Sequence, residues 1–157
     1  MASITRDLIE YSGINDCLPL NPRNFKQINV EDEVAMPIQK PDIEQIVKVD
    51  SNAVIKNTKV IKTPIGTSLE GLRLTGHKLL IEGLITHKIQ YVANIAEQST
   101  HTSHFTTPFI AFIVLSESFC TTSQLTASAF IEDVYVNTID LRCIYINTTL
   151  LLTAEEC

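Results

Sequence analysis

The sequence predicts an all-β fold, a β-sandwich with an N-terminal arm, on three observations. From Leu79 the apolar residues Leu79, Ile81, Ile85, Ile89 and Tyr91 fall on alternate positions, with Glu82, Thr86, Lys88 and Gln90 between them. That period of two marks a strand with one face on a core and one in water. The hydrophobic share is 45%, yet aromatics reach only 6% and Trp is absent, so apolar volume comes from Ile, Val and Leu, with Thr abundant beside them. Finally, strand-like runs follow one another at short intervals from Phe25 onward, the spacing of a sandwich.

Residues 1–14 form the arm. Ser3 is placed to cap a helix bearing Ile4, Leu8 and Tyr11 that Gly13 would end, and a short strand from Leu8 to Tyr11 fits equally well. Residues 15–25 hold two prolines and three asparagines and are predicted to be an irregular connector. Residues 26–157 then form a single sandwich domain, as expected for a chain of 157 residues with one core.

Strands are predicted at Phe25 to Val30, Ile43 to Val49, Val54 to Ile61, Gly71 to Thr75, Leu79 to Ala93, Thr106 to Leu115, Ala127 to Asn137 and Ile139 to Thr153. Gly76 to Leu115 reads as one long hairpin whose strands are joined by a polar loop. Pro37, Pro41 and Pro64 sit in connections, where a missing ladder donor does no harm. Gly83, inside a strand, marks a bulge or bend. Pro41, Asp42 and Glu44 also suit the start of a helix, but the β-branched residues Val47, Val49, Val54 and Ile55 favour strand.

Charge and hydropathy narrow the partners. A net charge of −6 and the absence of a Lys/Arg cluster argue against nucleic acid. Charged residues make up 19% of the chain and the mean hydropathy is +0.14, so little of it reads as solvated tail. The longest apolar run, Phe109 to Leu115, is far short of a membrane-spanning helix, and membrane insertion is not expected. The start MASITRDLIEYS lacks a basic segment followed by an apolar one, which predicts synthesis in the cytoplasm without a signal peptide.

Few residues suggest chemistry. His101 and His104, with Glu97 as an oxygen ligand, are the metal candidates, and a Ser/Thr-rich loop without adjacent further ligands makes them weak ones; no cofactor is expected. His87 is in phase with Ile85 and Ile89, which predicts a buried, hydrogen-bonded imidazole; the other reading is a proton-linked switch in an interface. Cys143 lies in a strand-like run, and Cys120 precedes two threonines and a serine. Neither has a base nearby in sequence, so no enzyme activity is expected.

The order PIQKPDIEQI, TPIGTSLEGLRLTGHKLLIEG, KIQYVA, QSTHTSHFTTPFIAFIVL and VYVNTIDLRCIYINTTLLLT resembles the SPOCS domain, a family of spore-coat-associated proteins of endospore-forming bacteria. The resemblance runs from about Leu8 to Thr153 and implies a β-rich module of coat assembly with no catalytic residues to carry over. Such modules are often fused to a peptidoglycan-binding LysM module, for which there is no room after Cys157, so anchoring by that route is not expected.

The resemblance implies deposition on the spore surface or coat, with copies of the same chain or other spore-envelope proteins as partners. Two devices suit such assembly. Cys17 and Cys157 are placed for intermolecular disulfides once outside the reducing cytosol. The arm residues Ile4, Leu8, Ile9 and Tyr11 suit pairing with a sheet edge, in another copy or in the chain's own sandwich. The expected function is thus a non-enzymatic structural protein. A carbohydrate or cell-wall binding module is the alternative, disfavoured by the scarcity of aromatics.

Overall fold

The computed structural model describes residues 2–71, 73–116, 119–120 and 124–156. Eight strands follow in order: β1 Ala2–Arg6, β2 Ile9–Ile14, β3 Asn24–Ala35, β4 Ile43–Thr67, β5 Arg73–Ala93, β6 Thr100–Val114, β7 Leu125–Thr138 and β8 Cys143–Glu156. They form a sheet of five, ordered β1-β2-β4-β5-β6, packed against a sheet of three, ordered β3-β8-β7. This is the β-sandwich that the alternation predicts. No helix occurs among the described residues, and so none is long and apolar enough to cross a membrane.

The core follows from the period of two. Leu79, Ile81, Ile85, Ile89 and Tyr91 of β5 point inward beside Phe109, Ala111 and Ile113 of β6. They meet Val134 and Val136 of β7 and Ile144, Ile146, Leu150 and Leu152 of β8. Gly83 marks no bulge of β5. It pairs with Ile55 and Phe109, and a Cβ there would come within 2.5 Å of the Val54 carbonyl oxygen and overlap the Phe109 ring. The bulge lies across from it, between Ile55 and Asn57 of β4.

Several strands run further than the sequence suggests. Two predicted strands merge into β4, because Ser51 at their junction keeps the inward alternation with its hydroxyl bonded to His87. In the same way β5 continues through Gly76, whose φ of 106° carries the turn in direction that other residues resist. Strand β6 begins at Thr100, which shortens the expected polar loop to residues 94–99. The acidic stretch Glu31 to Glu33 belongs to β3, its glutamates facing water beside Asn147 and Tyr145 of β8. Residues 37–42 form no helix; β4 starts at Ile43.

The N-terminal segment is a hairpin rather than a helix. Its turn, Asp7 and Leu8, has positive φ at both residues (51° and 68°), the backbone twist that two-residue hairpin loops require. Strand β2 pairs in parallel with β4 over Glu10 to Ser12. Gly13 follows with a φ of 96°, so close to β4 that a methyl there would overlap the Ser51 carbonyl. The arm is therefore part of the larger sheet.

Candidate functional site

The positions singled out by sequence are scattered over the sandwich. Ile9 and Tyr11 are buried in the core, while Ile4 and Leu8 are exposed on the hairpin. Tyr11 closes the gap between the sheets: its hydroxyl accepts from the Val136 N–H at 3.1 Å and donates to the Val136 carbonyl at 3.4 Å. Arg6 lies over the Tyr11 ring at 4.8 Å and pairs with Asp133 of β7 at 2.7 Å. Asn15 exchanges two bonds with Ile131 of the same strand. The arm thus folds onto its own sandwich, the intramolecular choice of the two that the sequence leaves open.

His101 and His104 lie on a strand, not in a loop, and three residues along a strand put them on opposite faces. His101 stacks on Tyr91 at 5.9 Å and bonds Ser99 at 2.9 Å, whereas His104 is exposed beside Lys88. The pair cannot share an ion. Among the described residues no group of three His, Cys, Asp or Glu is gathered to hold a metal.

His87 is buried between the sheets as its phase predicts. Its Nδ1 meets Ser51 Oγ of β4 at 2.7 Å and its Nε2 meets Thr148 Oγ1 of β8 at 3.3 Å. One ring nitrogen donates and the other accepts, so neutral imidazole satisfies both contacts. Burial lowers its pKa from 6.5 to about 4, opposed by the Asp32 carboxylate nearby. It is a bolt between sheets, closed to solvent.

The Cys143 thiol shows no activation. Cys143 is half-buried, and its pKa is raised, first by burial and then by Asp140 beside it, the opposite of a reactive thiolate. Cys17 and Cys120 are exposed, and Cys157 lies outside the described residues.

Surfaces, rather than a pocket, are what the fold presents. Strand β4 pairs with β2 only as far as Asp50 but with β5 as far as Thr67, so its other edge has no strand beside it among the described residues. That edge carries Lys56, Lys59 and Lys62 with no acidic residue between Val54 and Thr67. Two apolar grooves of about 470 and 400 Å3 flank the same sheet, one where Phe112 and Val114 of β6 meet Phe25 and Lys26 of β3, the other beside Leu84, Pro108 and Ile110. No signal short of the strand order predicts either feature.

A family model described as SipL, SPOCS domain, matches residues 42–139, more than half of the chain. The chain belongs to the SPOCS domain family. Membership implies association with the spore coat. The match covers β4 to β7, and the SPOCS sandwich is completed by β1, β2, β3 and β8, which supply Tyr11, Ile144 and Leu150 to the same core. Neither a curated protein nor a solved structure matches this chain.

Proposed function

We propose that this SPOCS domain is a non-enzymatic structural component of the spore envelope that holds its neighbours by main-chain pairing along the open edge of β4. The observation that carries the reading is that edge, which continues from Asn52 to Thr67 beyond the last residue paired with β2. Unpaired N–H and C=O groups in a row are a template for another strand.

Bulges between Ile55 and Asn57 and between Lys62 and Ile65 bound the regular stretch to Asn57 through Lys62. Together with Pro64 and three lysines, they block indiscriminate pairing and favour an extended segment carrying carboxylates. Cys17, exposed on the connector, would let an oxidising coat lock the contact as an intermolecular disulfide, with Cys157 as the second thiol of this reading.

Fractionation of spores tests this. The chain is expected in the detergent-insoluble coat layer, and without reductant as a ladder of oligomers that Cys17→Ser shortens. Recovery only in the soluble interior fraction would refute the structural reading, and a monomer band from coats would refute the disulfide.

A further inference from the structure

The two outer faces of the sandwich differ in a way that neither edge pairing nor family membership requires. On the five-stranded sheet, cross-strand neighbours Leu80 and Phe112, and Leu84 and Pro108, line up on the outer face. Beside them Ile110 is 68% exposed and Phe112 43%. Basic groups border this apolar strip: Lys78 and Lys26 sit 4.6 and 5.4 Å from the Phe112 ring centre, Lys56 lines the groove at Leu84, and Lys59 lies across from Leu80. Glu82 is the one acidic residue between Arg73 and Lys88 of β5, and β6 has none.

The opposite face is acidic. Glu31 and Glu33 of β3 stand beside Tyr145 of β8, and Glu132 and Asp133 of β7 lie near Tyr135, which is 41% exposed. Strands β7 and β8 contain no Lys or Arg, and the one basic residue of β3, Lys26, reaches round to Phe112 instead. Arg6 neutralises only Asp133. One molecule thus carries an apolar, lysine-bordered face and, behind it, a carboxylate-rich face with tyrosines.

We propose that the occupant of the apolar face is a second copy of this chain, which presents its acidic three-stranded face, so that molecules stack head to tail. The assignment rests on the structural reading above. Charge complementarity selects the partner, since like faces would set lysine against lysine or carboxylate against carboxylate. Because the two faces lie on opposite sides of the sandwich, the contact is heterologous and each added copy leaves both a free apolar and a free acidic face. A patch three strands wide and about eight residues long covers on the order of 400 Å2 in plan, about half of what a stable pairwise interface takes from each partner. Single contacts are weak, and each added copy makes one more of the same contact, so the length of the stack is set by concentration.

Sedimentation velocity of the full chain, from micromolar to millimolar and at low and high salt, tests the stacking. The wild type is expected to form a concentration-dependent series of oligomers that high salt shortens. Ile110→Asp spoils the apolar face, and Glu31→Lys with Glu33→Lys spoils the acidic one; each alone is expected to remain monomeric, with association weakened at least about tenfold. Mixed, they should form a one-to-one dimer and nothing larger, because each contributes one intact face. Lys59→Glu with Lys78→Glu repeats the first test without changing an apolar residue, should Ile110→Asp misfold.

A monomeric wild type at millimolar concentration and low salt would overturn the proposal, as would variants that associate like the wild type or a mixture that forms no dimer. Binding of monomers to anionic lipid vesicles, lost in Ile110→Asp and without self-association, would overturn it in favour of a lipid surface. A chain found in the coat layer that nonetheless fails to stack refutes the stacking alone, whereas absence from that layer refutes the structural reading.

Discussion

Removal of residues 1–21 is expected to abolish cooperative folding. The truncation takes Ile9, Tyr11 and Ile14 out of the core and leaves the inner half of β4 without the strand beside it. Tyr11 is the centre of this effect, since its ring is buried and its hydroxyl serves both the N–H and the carbonyl of Val136 on the opposite sheet.

Tyr11→Ala is expected to cost about 4 kcal/mol, the range for emptying a buried aromatic site. Tyr11→Phe keeps the packing but strips both Val136 groups of their partner, for a loss of about 1 to 2 kcal/mol. Urea unfolding followed by near-ultraviolet circular dichroism measures all three. A truncated chain that unfolds with the full-length midpoint would show that the hairpin is an appendage after all.

The second large effect is a loss of stability in acid that depends on His87. Its imidazole is held neutral between Ser51 and Thr148, with Asp32 the nearby carboxylate and Thr107 bonded to Asp32 at 2.7 Å. Its folded pKa of about 4 lies below the unfolded 6.5, so between these values the unfolded chain binds more protons. Stability is therefore fully present above pH 6.5 and falls as the pH drops towards 4. The loss amounts to about 3 kcal/mol over that window.

His87→Gln is expected to be less stable at neutral pH yet to lack this part of the pH dependence. Comparing the two proteins between pH 6.5 and 5, above most carboxylate titrations, isolates the histidine. Parallel stability curves for wild type and variant in that range would contradict the assignment.

The inward positions of β5 were legible in the sequence because burial on one face alone imposes the alternation. The phase of His87 among isoleucines likewise announced a buried ring. Where the sequence misled, a local signal was outweighed by partners distant along the chain. The Ser51–Asn52 pair resembles a break, but His87, thirty-six residues away, shares a hydrogen bond with the Ser51 hydroxyl and the strand continues. The predicted strand ends at Val30, whereas β3 runs on through Glu31 to Glu33, because the benefit of their strand conformation lies in pairing with β8 at the other end of the chain.

His101 and His104 can pair only in a loop; the strand period separates them. The open edge of β4 and the contrast between the outer faces depend on strand order. No periodicity in a single segment records that order, so neither surface was legible before the sheets were assembled.

The most direct test of the edge as a binding device is hydrogen exchange over residues 57–62, compared between the isolated protein and the protein bound in coat layers. In isolation, alternate amides of this stretch face no strand and should exchange rapidly. In the coat the same amides should slow by about tenfold or more as a neighbouring strand pairs with them. Equal, rapid exchange in both states would contradict pairing along β4.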